Sequence, residues 1–320
     1  MNEVSIQTFD LTKIYDNKLR AVDDLNLEIP KGKLFGFLGP NGAGKSTSIK
    51  MLATVLTPTS GTAEILGHDI TEERSKVREL IGVCPQDLVF WEKLTAKENI
   101  HLIAQMHNIH PADYKEKTDE LLGKMKLLER GDDQAKTFSG GMKRRLNVLM
   151  AVIHEPEVIF FDEPSAGLDP QSRRVVWDFI RDFEKENKTV ILTTHNMEEA
   201  DDLSDELVII DHGKIIAQGT PQDLKGKIGT GDIIEFHVPP DKRGNRKKMV
   251  KFLSEREGVT WAKELGKERI VFSSLDGLRN ISHFYALLEE QFDAEMQDLM
   301  VRQNTLEDVF IDLTGRELRN

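Results

Sequence analysis

A glycine-rich stretch, Gly39–Thr47 (GPNGAGKST), carries residue types suited to holding a phosphate. It fits the pattern G-x-x-x-x-G-K-[ST], in which glycines let the backbone curl until several N–H groups point at phosphate oxygens. A helix expected to begin near Lys45 would direct its positive dipole end at the same anion, with Lys45 reaching the terminal phosphates and Ser46 ligating Mg²⁺. The stretch therefore predicts a nucleotide-binding loop, whose expected contact residues are Gly39, Pro40, Asn41, Gly42, Ala43, Gly44, Lys45, Ser46 and Thr47.

A pair of acidic residues follows an apolar run that predicts a buried strand, Glu157–Phe161. Asp162 is suited to hold Mg²⁺ through water, and Glu163 is placed to polarise an attacking water as a general base. The alternative is an acidic turn at the surface. The pair therefore predicts a hydrolytic centre at the end of this strand.

Two further polar residues also follow predicted strands. His195 comes after Thr189–Thr193, where open α/β sheets bind ligands, and is expected to hydrogen-bond the γ-phosphate and orient the water. Gln86 follows Ile81–Val83 and is expected to reach Mg²⁺ and the water. The alternatives are a structural histidine and a solvated loop glutamine.

A second glycine turn lies within the stretch TFSGGMKRR, residues 137–145. Ser139, Gly140 and Gly141 are expected to open a helix, so that free backbone N–H groups and the helix dipole face an anion. The chain thus carries two anion-binding turns, separated by about a hundred residues.

The elements around these residues alternate between strand and helix. Lys33–Leu38 predicts a strand that leads into the glycine loop, and Ser46–Leu56 has helical spacing. The alternation predicts an α/β fold with a mostly parallel sheet, preceded by an antiparallel or mixed β layer and interrupted by a helical insertion at about residues 92–150.

The pattern changes near Gly226–Gly231, which is expected to be a hinge. Beyond it the predicted order β-α-β-β-α-β suggests a smaller ferredoxin-like α+β domain. The predicted domains are residues 1–228 and 229–320 of this 320-residue chain.

Composition and hydropathy argue against a nucleic-acid-binding surface, a membrane span and a signal peptide. The formal net charge of −12 argues against a general nucleic-acid-binding surface. The longest apolar runs, Val158–Phe161 and Leu207–Ile210, fall far short of the ~20 residues of a membrane span. The polar, acidic N-terminus shows no signal peptide.

Taken in order, GPNGAGKST, Gln86, SGGM, FFDEP, SAGLD and TTH resemble the motifs of an ABC transporter ATP-binding subunit, over Tyr15 to about Gly219. The resemblance implies that ATP and Mg²⁺ are the ligands, that ATP is hydrolysed, and that two subunits enclose two ATP molecules head to tail. Each glycine turn would then cap the γ-phosphate held by the partner. The residues assigned to this turn are Ser139, Gly140, Gly141 and Met142.

The resemblance implies two more roles and shows two departures. Tyr15 would stack on adenine, with core packing as the alternative, and Asp169 would lie in a loop that crosses the dimer interface. Phe138 and Met142 replace the commoner leucine and glutamine, so a side-chain contact from that glutamine is lost.

The C-terminal segment, residues 305–315 (TLEDVFIDLTG), predicts a short helix with Thr305 as N-cap and Gly315 as C-cap. Together with TTHNMEEADDLSD and IIDHGKIIAQGTP, it resembles the daunorubicin-resistance type of ABC exporter ATPase. That type implies a separate integral membrane permease and a peripheral location at the cytoplasmic face of the membrane.

Three bulky residues after Gln86, Val89, Phe90 and Trp91, suggest a socket for a permease helix. The alternative is that they form part of the core of the helical insertion.

Two other functions remain possible from sequence. One is a soluble ABC ATPase that acts on ribosomes or nucleic acid, which the single cassette and the net charge disfavour. The other is an importer ATPase with a regulatory C-terminal domain, which the TLEDVF segment disfavours by resemblance.

Overall fold

The computed structural model describes residues 3–16, 18–227, 231–266, 268–275 and 277–314. The chain divides between Thr220 and Pro221 into two compact units. Residues 228–230, which contain the predicted domain boundary and half of the expected hinge, lie outside the described part. The position of that boundary stays a prediction.

The first unit contains a six-stranded sheet within its described residues, and this sheet is parallel except at one edge. This arrangement confirms the predicted α/β fold class. The strands, in spatial order, are β10 (Lys214–Gly219), β9 (Glu206–Asp211), β3 (Leu34–Leu38), β8 (Thr189–Thr194), β7 (Val158–Asp162) and β6 (Ile81–Cys84).

Both faces of this sheet are covered, as expected for a parallel sheet. On β7, Val158 and Phe160 pack into one core cluster, whereas Ile159 and Phe161 pack into another on the opposite face. This alternation is the two-residue period of a strand, and it explains why Val158–Phe161 is apolar at every position.

An antiparallel layer covers one face of the sheet, in agreement with the sequence prediction. Its strands are β2 (Arg20–Pro30), β1 (Val4–Ile14), β4 (Ser60–Ile65) and β5 (His68–Asp69). The helices of the unit are α1 (Lys45–Leu52), α2 (Arg74–Leu80), α3 (Ala96–Met106), α4 (Pro111–Lys124), α5 (Gly140–Met150), α6 (Pro170–Lys185) and α7 (Met197–Leu203). Among the described residues, no helix has the length and apolar character of a membrane span.

The second unit has the predicted β-α-β-β-α-β order, preceded by α8 (Pro221–Lys227). Its antiparallel sheet has the spatial order β12-β13-β11-β14, which is the ferredoxin-like arrangement. The elements are β11 (Asp232–His237), α9 (Arg246–Ser254), β12 (Val259–Leu265), β13 (Arg269–Ser274), α10 (Gly277–Phe292), β14 (Gln297–Arg302) and α11 (Leu306–Thr314).

Thr305 caps α11, as its sequence predicts. The Thr305 hydroxyl accepts from the Asp308 N–H at 3.4 Å, and the Asp308 carboxylate accepts from the Thr305 N–H at 2.8 Å. Arg302 also donates to Asp308 at 2.8 Å, so this carboxylate ties the helix to the edge strand β14. Gly315, the predicted C-cap, lies outside the described residues.

Candidate active site

The glycine loop, the acidic pair and His195, all predicted to take part in binding or catalysis, lie at the ends of three neighbouring strands of the sheet. Strand β3 pairs in parallel with β8, and β8 pairs in parallel with β7. Their carboxyl ends therefore meet at one edge of the sheet, where open α/β folds bind ligands. The glycine loop, the acidic pair and His195 follow these strands in turn.

The glycine loop has the backbone conformation of an anion cradle. Gly44 has a φ of 110°, and a Cβ placed there would lie 2.3 Å from the Ala21 carbonyl oxygen, so only glycine fits. Helix α1 begins at Lys45 without a side-chain cap from Gly44. Because the first N–H groups of a helix have no partner within it, they remain available to an anion.

Lys45 is buried within this loop. Its Nζ donates to the carbonyl oxygens of Gly39 at 2.6 Å and Pro40 at 3.1 Å. Burial lowers the pKa of Lys45, and the nearby carboxylates of Glu163 and Asp162 oppose that shift. The side chain thus places a cation at the loop in a site where a phosphate would compensate its charge.

Asp162 links the glycine loop to two strands. Its Oδ1 accepts from the Ser46 hydroxyl at 3.0 Å and also from the Thr193 hydroxyl. A hydroxyl and a carboxylate at one point are the oxygen ligands that Mg²⁺ prefers. Among the described residues no group of three or more His, Cys, Asp or Glu side chains forms a metal site. An ion entering with the nucleotide would take its other ligands from phosphate and water.

Glu163 brings together the other predicted catalytic residues. Its carboxylate accepts from the Gln86 amide at 3.2 Å and lies 2.9 Å from the His195 Nδ1. The residue is 6% exposed and has a φ of 51°, in the left-handed region that non-glycine residues seldom adopt. Such strain persists only where surrounding contacts hold it, and here the Glu163 N–H donates to the Thr193 carbonyl at 3.1 Å.

An open cleft of about 420 Å³ contains the glycine loop. Gln86, Glu163 and Tyr15 line this cleft. Tyr15 is 39% exposed, so it is not part of a packed core. The described residues that line the cleft are Tyr15, Leu19, Ala21, Asn41, Gly42, Ala43, Gly44, Lys45, Ser46, Thr47, Gln86 and Glu163. None of them comes from the second glycine turn.

The second glycine turn begins α5, as predicted. The Ser139 hydroxyl accepts from the Met142 N–H at 3.3 Å, and both Ser139 and Gly140 are exposed. The turn thus presents a capped helix N-terminus on the surface of the chain, and it is not among the described residues that line the chain's own cleft.

Asp169 caps α6. Its carboxylate accepts from the N–H groups of Gln171 and Ser172, each at 3.0 Å. Hydrogen bonds from the side chain and the backbone of Ser172 hold the pKa of Asp169 below its usual range. Within one chain the residue therefore fixes the end of the SAGLD loop at a helix N-terminus.

Two buried charged residues near the site were not predicted from the sequence. Glu199 accepts from the Ser165 hydroxyl at 2.6 Å and the Trp177 indole at 2.9 Å, and burial raises its pKa. Arg144 is 4% exposed and contacts the carbonyls of Gln86 and Glu163. Both lie in runs of like charge, MEEADD and KRR, which suggest solvated surface.

Comparison with known families identifies the first unit. The family model described as "ABC transporter" matches residues 22–166. A solved chain described as an ATP-binding subunit of an ABC transporter has a TM-score of 0.65 and 27% identity, covering 70% of this chain and 92% of its own. A solved dimeric ATP-binding cassette bound to ADP and phosphate shares the fold, with 23% identity and a TM-score of 0.63. The match covers 67% of this chain and 98% of that one.

Curated relatives extend the similarity over nearly the whole chain. The daunorubicin/doxorubicin resistance ATP-binding protein of Streptomyces peucetius is 38% identical, covering 97% of this chain and 92% of the relative. A daunorubicin resistance ATP-binding protein of Streptomyces coeruleorubidus is 37% identical, covering 100% and 98%. The linearmycin resistance ATP-binding protein of Bacillus subtilis is 34% identical, covering 98% and 100%.

Proposed function

This chain belongs to the ABC transporter family of ATP-hydrolysing subunits, in its daunorubicin-resistance type, and from that membership we propose that it drives export as a dimer around two ATP molecules. The observation that supports the dimer is that the chain's two anion-binding turns do not line the same cleft. The chain's own cleft lacks the second glycine turn among its described lining residues, while that turn is exposed. A two-fold arrangement completes both sites together, since each chain supplies what the other lacks.

In the proposed site, the residues of one chain have separate roles in binding and catalysis. The glycine loop and Lys45 hold the phosphates. Ser46, Gln86 and, through water, Asp162 would hold the Mg²⁺ that enters with ATP. Glu163 takes a proton from water as the water oxygen attacks the γ-phosphorus and ADP leaves. Gln86 and His195 hold the Glu163 carboxylate, and the partner's glycine turn stabilises charge on the γ-phosphate.

The remaining assignments are proposed on the same basis. Tyr15 stacks on adenine at the rim of the cleft, and Asp169 lies where the two chains meet. The cassette occupies residues 1–228 and the C-terminal domain residues 229–320. The dimer works at the cytoplasmic face of the membrane with an integral permease.

Mixing two inactive variants tests the shared site. Lys45→Met should remove phosphate binding, and Gly140→Asp should repel the partner's phosphate. Aspartate suits the first turn of a helix, and a Cβ at Gly140 meets no atom within 4 Å, so the second variant should fold. Each variant alone is expected to lack ATPase activity, whereas a mixture should regain it, because the mixed dimer contains one complete site.

Phosphate release at increasing mixing ratios is the measurement, and two preparations of the same variant are the control. A mixture as inactive as its components would contradict the shared site.

The proposed permease contact lies just after Gln86. Val89 is 55% exposed and Trp91 is 42% exposed, whereas Phe90 is partly buried against the core. Backbone contacts hold the loop: the Val89 N–H donates to Asn147 at 3.1 Å, and the Trp91 N–H donates to Asn99 at 2.7 Å. An exposed indole on a fixed backbone suits an anchor for a partner helix.

Trp91→Ala is therefore expected to weaken permease binding by ~2 kcal/mol or more, with the fold and basal ATPase activity unchanged. Co-purification from detergent-solubilised membranes measures the binding. Leu128→Ala is the matched control, because Leu128 is 45% exposed elsewhere in the helical insertion. Equal binding by both variants and the unmodified protein would exclude this surface.

A further inference from the structure

A buried arginine joins the helix of the second glycine turn to the catalytic loops. Arg144 lies on α5, and its Nη1 donates to the carbonyl oxygens of Pro85 at 3.1 Å and Gln86 at 2.7 Å. Its Nη2 donates to the carbonyl oxygen of Glu163. One guanidinium thus holds the loop after β6, the acidic pair after β7, and its own helix.

The charge of Arg144 has no carboxylate partner within ion-pair distance among the described residues. Burying a cation costs free energy that only its hydrogen bonds offset. A rigid fork of donors suits three converging carbonyls, whereas lysine offers a single point of charge. These three contacts therefore suit arginine rather than lysine. Burying the charge costs more free energy than an apolar side chain would, so packing alone does not explain it.

The contacts of Arg144 complete the restraint on Glu163. Thr193 holds the Glu163 N–H, and Arg144 holds its carbonyl, so both flanking peptide groups are fixed around a residue with a left-handed φ. The same guanidinium fixes the backbone of Gln86, whose side chain contacts the Glu163 carboxylate at 3.2 Å. Arg144 therefore bridges the two loops that carry these side chains.

We propose that Arg144 is a positioning residue for ATP hydrolysis, which holds Glu163 and Gln86 of its own chain in working geometry; this rests on the proposed shared site. Arg144 does not touch the nucleotide, and it acts through these two residues. A role confined to supporting the glycine turn at the start of α5 would instead affect the site on the partner.

Mixed dimers separate these two roles. When Gly140→Asp and Lys45→Met chains are combined, the one complete site uses Glu163 of the Gly140→Asp chain and the glycine turn of the Lys45→Met chain. Arg144→Met is added to either chain, and phosphate release and ATP binding are measured. In the Gly140→Asp chain it is expected to lower turnover on the order of 10- to 100-fold with ATP affinity retained, since small misplacements of catalytic groups cost this much. In the Lys45→Met chain it should leave turnover unchanged.

Arg145→Met in the Gly140→Asp chain is the matched control, because Arg145 is the next residue of α5 and donates instead to the carbonyl oxygens of Met125 at 2.6 Å and Gly141 at 3.4 Å. The glycine turn of that chain is not part of the complete site, so this change should leave turnover unchanged. Arg144→Lys, which retains charge and most of the volume, serves if Arg144→Met does not fold, as judged by thermal melting; it should show the same dependence on the chain. An equal loss of turnover in either chain, a loss only in the Lys45→Met chain, or loss of ATP binding would overturn the proposal. A starting mixture without activity would instead contradict the shared site.

Discussion

Replacing Glu163 with glutamine is expected to abolish ATP turnover while ATP still binds. Glutamine keeps the shape of the side chain, but its amide cannot take up the proton of the attacking water. Loss of a general base typically costs 10²- to 10⁴-fold in rate. The phosphate-binding contacts of the glycine loop and Lys45 remain, so the substitution should lower the turnover rate and leave ATP affinity unchanged. Phosphate release and equilibrium binding of ATP measure the two effects separately.

Glu198→Gln is the matched control for this change. Glu198 lies on α7, and its side chain is 72% exposed, so the same substitution there removes a carboxylate without reaching the cleft. It should leave turnover unchanged. Turnover in Glu163→Gln equal to that of the unmodified protein would exclude Glu163 as the base.

Replacing Lys45 with methionine is expected to abolish nucleotide binding without lowering the stability of the nucleotide-free protein. The Lys45 ammonium is buried against two carbonyl oxygens, and this burial disfavours the charged form at a cost in stability and so lowers the pKa of Lys45. Methionine removes this cost but cannot pair with phosphate. The rise in melting temperature that bound Mg·ATP should produce, through its preference for the folded state, is expected to disappear.

Lys50→Met provides the comparison, because Lys50 is exposed on the same helix α1. This variant should keep the ATP-dependent rise in melting temperature. A Lys45→Met protein that still shows that rise would contradict the assigned role of Lys45.

Much of the site follows from strand order alone. Lys45, Asp162 and His195 each come after an apolar run, and parallel neighbours place such residues at one edge of a sheet. The sequence therefore predicts their proximity without any knowledge of side-chain contacts. The ferredoxin-like order of the second unit was equally predictable, since each of its elements has a clear period.

Other features depend on contacts distant in sequence and were not predictable. Thr193 reads as part of an apolar strand, yet its hydroxyl donates to Asp162. Arg144 and Glu199 have the local pattern of solvated charges, and only the packing of α5 and α7 buries them. The end of one helix was also predicted incorrectly, because it depends on local backbone geometry. The predicted helix Ser46–Leu56 ends at Leu52, and Thr54 just beyond it has a left-handed φ of 60°.

Affinity purification of tagged Glu163→Gln protein in the presence of ATP, from gently solubilised cells, tests the transport role most directly. Without hydrolysis the ATP-bound dimer should persist, so its partner should remain attached. In the presence of ATP, an integral membrane protein with several spans is expected to co-purify, and less of it should be recovered when Lys45→Met is the bait. Recovery of ribosomes or DNA-repair proteins, or of no membrane protein, would contradict the transport role and leave the ATPase chemistry intact.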